Sequence, residues 1–200
     1  MKAKRKNNIY IEKLCKSYGN NHVLNSICFE FEEGKISCLM GESGIGKTTL
    51  LKIIMGLEKQ DSGLVDGIDD NTKISAVFQE ERLSENLTSL GNILMVCNKS
   101  ISKEAIKQQL ALVLPENAAL KKVSLLSGGM RQRVAIVRAM IVSSDIVLMD
   151  EPFKGLDEET KKAVIAYVKD NQRGRTVLIV THNSDDAKML EAPICVLTKH

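Results

Sequence analysis

The octet Gly41-Glu42-Ser43-Gly44-Ile45-Gly46-Lys47-Thr48 narrows the possible folds of this chain more than any other feature. Glycines at this spacing let successive backbone N–H groups curl around phosphate oxygens, while the Lys and Thr reach the terminal phosphates and Mg²⁺. The flanks agree. Lys35 to Met40 reads as a strand that feeds the loop, and the apolar-rich run from Lys47 to Met55 reads as a helix that Gly56 stops. The start of that helix contributes unpaired N–H groups and the positive end of its dipole. Gly41 through Thr49 is therefore the expected phosphate-binding segment.

Two later segments fit the same chemistry. Asp150-Glu151 follows the apolar run Ile146-Val147-Leu148-Met149, which reads as a strand buried on both faces, with the acids at its carboxyl end where α/β sheets place their ligands. Asp150 would hold Mg²⁺ through a water and Thr48 would ligate it. Glu151 would polarise the attacking water as general base. Between the two comes Leu126-Ser127-Gly128-Gly129. Ser127 is the expected N-cap of a helix with apolar residues at Met130, Val134, Val137 and Ile141, and the two glycines leave its first N–H groups bare, which makes a second anion site.

The remaining pattern implies one α/β domain. Ile9 to Leu14 and Ile27 to Phe31 read as short strands broken by Gly19-Asn20-Asn21 and Glu32-Glu33-Gly34, the punctuation of hairpins. Ile74 to Phe78 is a further strand ended by Gln79, and Asn86 to Lys122 is mainly helical in pattern, broken at Pro115. After Asp150 come a helix over Glu158 to Asp170, a strand over Thr176 to Thr181, a helix over Asp185 to Leu190 and a strand-like Ile194 to Leu197. Such alternation predicts a mostly parallel core sheet wrapped by helices, with an N-terminal antiparallel β subdomain and a helical subdomain inserted at about 84–143.

Composition removes several classes. A net charge of +3 from 28 basic and 25 acidic residues is too balanced for a nucleic-acid surface, and an aromatic content of 4% leaves few stacking platforms. The basic start from Lys2 to Lys6 reads as a solvated tail. Cysteines at 15, 28, 38, 97 and 195 show no zinc or redox spacing, which fits reduced thiols in the cytoplasm. No apolar stretch approaches the roughly 18 residues that span a bilayer.

The glycine octet, the Ser-Gly-Gly element and the strand-borne Asp-Glu, in this order across nearly the whole chain, resemble the ATP-binding cassette (ABC) ATPases. The resemblance implies a P-loop ATPase that takes ATP and Mg²⁺. It gives Gln79 contact with Mg²⁺ and the attacking water, and makes His182 a switch histidine that touches the γ-phosphate and positions Glu151. Ser127, Gly128 and Gly129 would close over the γ-phosphate of ATP bound to another subunit, although Met130 stands where the family usually has Gln. Gly155-Leu156-Asp157 resembles a loop that crosses to the partner, while Asp157-Glu158-Glu159 equally makes an acidic helix start. Tyr18 resembles the aromatic that stacks on adenine; Tyr10 is its competitor, but a place inside a predicted strand assigns Tyr10 to the core.

Two chains, identical or paired cassettes, would then meet head to tail around two ATP molecules. In the family such chains usually energise a separate membrane permease. That implies docking near Glu80 to Asn98, a place on the inner face of the membrane and, through the permease, a substrate-binding protein. The Val77 to Leu83 segment looks most like the nitrate, sulfonate and taurine importer group. An exporter ATPase, a soluble cassette protein working on DNA or ribosomes, and a P-loop kinase are the alternatives.

Overall fold

A computed structural model describes residues 8–97 and 101–198. The basic start from Lys2 to Lys6, and Asn98, lie outside the described residues. The elements run β1 (Ile9–Tyr18), β2 (Asn21–Phe31), β3 (Ile36–Met40), α1 (Lys47–Ile54), β4 (Ser62–Asp66), β5 (Ile74–Val77), α2 (Ser89–Leu94), α3 (Lys103–Ala111), α4 (Gly128–Ile141), β6 (Ile146–Asp150), α5 (Glu158–Asp170), β7 (Thr176–Val180), α6 (Ser184–Leu190) and β8 (Ile194–Val196). They build a three-stranded antiparallel sheet, β2-β1-β4, and a five-stranded parallel sheet, β5-β6-β7-β3-β8.

β6 and β7 are buried along their whole length, as their unbroken apolar runs require of strands covered on both faces. Their side chains alternate between two cores. Val147, Met149, Val177 and Ile179 join α2 to α6 on one face. Ile146, Leu148, Leu178 and Val180 join Leu50, Leu51, Ile53 and Ile54 of α1, and beyond them Ile9, Leu14, Leu24 and Phe31 of the antiparallel sheet. Each of these fully buried aliphatic side chains contributes roughly 1.5–3 kcal/mol relative to exposure.

β1 and β2 are longer than the sequence pattern suggested, because two irregularities hide their alternation. Lys13 and Ser26 take positive φ of 47° and 51°, and the pairing register shifts between Ile11 and Leu14. Their N–H groups leave the ladder and donate instead to thiols: Lys13 to Cys28 Sγ at 3.2 Å, Ser26 to Cys15 Sγ at 3.2 Å. β4 was not foreseen at all. It is an edge strand with mostly exposed side chains, so it carries no apolar alternation to read.

The stretch from Asn86 to Lys122 is less helical than its pattern. α2 and α3 form, each with a side-chain cap, Thr88 and Ser102. Beyond Pro115, Asn117 turns left-handed at φ 65° and two short 3₁₀ turns carry the chain to Leu126.

At the end of the parallel sheet away from the glycine loop, Arg175 enters β7 with only 9% of its surface exposed. Its guanidinium donates to Met140 O at 3.0 Å, Val142 O at 3.2 Å, Gln172 O at 3.1 Å and Asn171 O. These carbonyls belong to the C-terminal ends of α4 and α5, where peptide dipoles present partial negative charge. Burial pushes the Arg175 pKa down, and this one side chain ties both helix ends to the sheet.

Candidate functional site

All five strands of the larger sheet are parallel, so their carboxyl ends lie along one edge. Four adjacent ones, β5, β6, β7 and β3, deliver Gln79, Asp150-Glu151, His182 and the glycine loop in that spatial order. They border a cleft of about 640 Å³ lined by Val23, Ser43, Gly44, Gly46, Lys47, Thr48, Thr49, Gln79, Asp150, Glu151, Lys154 and His182.

The loop conformation follows from its glycines. Gly44 and Gly46 have φ of 77° and 112°, a region that L side chains rarely enter. A Cβ on Gly46 would lie 2.7 Å from Leu24 Cδ2 and 2.9 Å from Val23 Cγ1, so β2 presses directly on the loop. Gly46 also precedes α1 with no side-chain cap, which leaves the first N–H groups of the helix available to an anion.

Lys47 is buried and its ammonium donates to Gly41 O and Glu42 O, both at 2.8 Å. Two of its three protons thus brace the loop and one remains for a phosphate oxygen. Thr48 Oγ1 donates to Asp150 Oδ2 at 2.6 Å. That pair sets a hydroxyl and a carboxylate oxygen side by side, suited to a hard cation that keeps waters and takes its other ligands from phosphates. Among the described residues no group of three or more His, Cys, Asp or Glu can hold a metal ion unaided.

Glu151 has a positive φ of 52°, a strain of roughly 1–3 kcal/mol for a non-glycine residue. Its N–H bonds Val180 O at 3.0 Å, and buried Pro152 and Phe153 anchor the turn behind it. Its Oε2 lies 2.8 Å from His182 Nδ1. A carboxylate has no proton to give, so Nδ1 donates, which leaves Nε2 without a partner among the described residues. His182 is held by its neighbours: Thr181 Oγ1 donates to buried Asp186 Oδ2 at 2.7 Å, accepts from Asn183 N at 3.1 Å, and Lys161 pairs with Asp186 at 3.4 Å.

Gln79 sits in an exposed loop tied to α4. Arg138 donates to Glu81 O at 2.9 Å and Arg82 O at 2.8 Å, and the Arg82 guanidinium lies 3.8 Å over the Phe78 ring. Ser127, Gly128 and Gly129 do not line the cleft. Ser127 caps α4 by accepting from Met130 N at 3.3 Å, and Ser127 and Gly128 face solvent with open space around Gly128. Asp157 is the N-cap of α5, where the Thr160 backbone N–H and then its hydroxyl hold the carboxyl below the usual carboxylate range. Gly41, Glu42 and Ile45 belong to the loop without lining this cleft, and Glu42 and Ile45 border a neighbouring cavity.

Tyr18 is not part of the cleft either. It is 46% exposed at the end of β1, with Lys16 Nζ 5.1 Å from its ring centroid. Tyr10 is exposed near the start of β1 rather than in the core. Conversely, Val23 and Lys154 line the cleft and went unnoticed in the sequence. Val23 carried no signal, whereas Lys154 could have been found as a cation on the short turn after Glu151.

Residues 24–154 match the profile of the family described as ABC transporter. Among known proteins, the sulfate/thiosulfate import ATP-binding protein CysA of Mesostigma viride is 35% identical over 204 residues, covering 94% of this chain and 58% of that protein. The spermidine/putrescine import ATP-binding protein PotA of Legionella pneumophila is 35% identical over 203 residues, covering 94% of this chain and 56% of that protein. The chain thus spans less than two thirds of the length of these relatives. Among solved structures, the dimeric cassette MJ0796, described as a bacterial ABC transporter cassette, superposes with a TM-score of 0.81 at 30% identity over 94% of both chains. A post-hydrolysis dimer of the same cassette bound to ADP and Pi gives 0.80 at 29% identity, covering 95% of this chain and 94% of that one.

Proposed function

The chain belongs to the ABC transporter family of ATP-binding proteins, and from that membership we propose that it binds and hydrolyses ATP to drive a separate membrane permease in an import system. The observation that carries this reading is the convergence of Lys47, the Thr48–Asp150 pair and the Glu151–His182 pair on one cleft.

In this mechanism the bare N–H groups of the loop and of α1, with the remaining proton of Lys47, hold the β- and γ-phosphates. Thr48, with Asp150 behind it through a water, would hold Mg²⁺, which would supply charge neutralisation to the phosphates. Gln79, on the wall of the cleft, would contact the same ion and the attacking water. Glu151 takes a proton from that water as its oxygen bonds the γ-phosphorus and the bond to the β–γ bridging oxygen breaks. The His182 Nδ1–H keeps the carboxylate aimed, and Nε2 is free to meet the γ-phosphate.

Ser127 and Gly128 face solvent and, with Gly129, lie outside this cleft, which supports a role toward a second copy: two chains pack head to tail, each closing the other's ATP. Dimeric MJ0796 supports this arrangement. Asp157 would lie near the same interface, because the Leu156 side chain would come within 3.3 Å of a Cβ on Gly129. Tyr18 is the proposed adenine contact. Exposed Leu87, Met95 and Val96 offer the permease an apolar surface within residues 80–98. No helix among the described residues is long and apolar enough to cross a membrane, so the proposed place on the inner face depends on that permease.

The relatives named above serve sulfate/thiosulfate and polyamine import rather than specifically the nitrate, sulfonate and taurine group that Val77 to Leu83 suggested. The permease and any substrate-binding protein select the cargo. The test is Glu151→Gln: the variant should keep ATP binding, form an ATP-dependent dimer on gel filtration and lose most turnover. Near-normal hydrolysis removes Glu151 as base, and a monomer that hydrolyses ATP at full rate removes the paired-cassette reading.

A further inference from the structure

Resting on this ATPase reading, we propose that Lys154 is a second cationic ligand of the γ-phosphate, acting from the turn that follows Glu151 in the same cleft.

Four observations carry it. Lys154 lines the same cleft as Ser43, Thr48, Gln79, Glu151 and His182. Its backbone is fixed: the Lys154 N–H donates to Glu151 O at 3.2 Å, and Pro152 and Phe153 just before it are buried. Its ammonium forms no ion pair or side-chain hydrogen bond among the described residues. The other cleft lysine, Lys47, has already committed two of its three protons to Gly41 O and Glu42 O.

The charges make this arrangement useful. Asp150 and Glu151 bring two carboxylates to a cleft that must also hold a polyanion, and Lys47 balances one of them while partly occupied by the loop. As the bond to the β–γ bridging oxygen breaks, negative charge spreads over the γ-phosphoryl oxygens and the leaving oxygen. An unpaired ammonium three residues after the general base, on the same turn, can meet that charge without giving up a partner. Lys154 is exposed, so its side chain is ordered only when it meets the phosphate, and its effect is the charge contact less that ordering cost. Because it contacts only the terminal phosphate, Lys154 also separates ATP from ADP.

The test compares binding of Mg²⁺ with AMP-PNP and Mg²⁺ with ADP, by calorimetry, in the wild-type chain, Lys154→Gln and Lys154→Arg, together with ATP turnover. Lys154→Gln should weaken AMP-PNP about tenfold, leave ADP within about twofold and lower kcat by about 10², a loss in the range of one removed transition-state donor. Lys154→Arg should recover most of the AMP-PNP affinity. A structural role predicts something else, an equal loss for both nucleotides, and that result overturns the proposal. So does a Lys154→Gln chain that keeps both affinities and its turnover. In either case wild-type binding and hydrolysis leave the ATPase reading standing, whereas a wild-type chain that binds neither nucleotide removes both.

Discussion

Replacing Gly46 with Ala tests whether the glycine loop is shaped by its own backbone and by the strand behind it. Two costs add. An Ala at φ 112° is strained by roughly 1–3 kcal/mol. Its Cβ would also stand 2.7 Å from Leu24 Cδ2, 2.9 Å from Val23 Cγ1 and 3.0 Å from Val23 O, and overpacking of this kind costs roughly 1–3 kcal/mol. Their sum, about 4 kcal/mol, corresponds to a fall of about 12 °C in Tm for a chain of this size. Gly44→Ala carries only the first cost, because nothing lies within 4 Å of the added carbon at φ 77°, so its fall should be about 6 °C. Gly128→Ala has open space and lies in the first turn of α4, so its Tm should stay within about 2 °C of wild type while ATP-dependent dimerisation weakens. Differential scanning calorimetry with and without Mg-ATP separates the three. A Gly46→Ala chain that melts within a few degrees of Gly44→Ala would refute the claim that β2 presses on the loop.

Arg175→Met keeps the apolar stem and strands the carbonyls of Met140 and Asn171 in the interior; about 3 kcal/mol should be lost, seen as a lower urea midpoint at unchanged slope. Burial pushes the Cys38 thiol up to about 12 from 9.0. The folded chain therefore holds the proton that the unfolded chain releases, so this contribution is complete below pH 9 and is lost as pH rises from about 9 to about 12. Cys38→Ala, less stable overall, should show a flatter alkaline limb in urea titrations, and an unchanged limb would count against the buried thiol as its source.

The phosphate loop, the Asp150 strand and the Ser127 cap were legible because each is a contiguous segment whose glycines, apolar run or capping residue dictate the local backbone. Asp157 shows the limit of that legibility, since helix cap and interface loop share one sequence and only the cap is formed within a single chain. β4 was hidden by its exposed edge position, and β1 and β2 were shortened on paper by bulges whose N–H groups bond to Cys15 and Cys28. Residues 86–122 looked mainly helical apart from the break at Pro115, because periodicity does not register Asn117 turning left-handed. Lys154 went unnoticed because a single lysine carries no motif of its own, although its place on the short turn after Glu151 was there to be read.

The alternation of β6 between two cores has a bearing on which changes of length this protein can absorb. Ile146 and Leu148 face α1, Val147 and Met149 face α4 and α5, and Asp150 closes the same strand beside Thr48. Deleting one residue there would exchange the two cores and withdraw the carboxylate from its hydroxyl partner in a single step. Deletions can be absorbed in the exposed turn Asp69-Asp70-Asn71 between β4 and β5, where no such double register exists, so chain length can drift there while the distance from Ile146 to Glu151 stays locked.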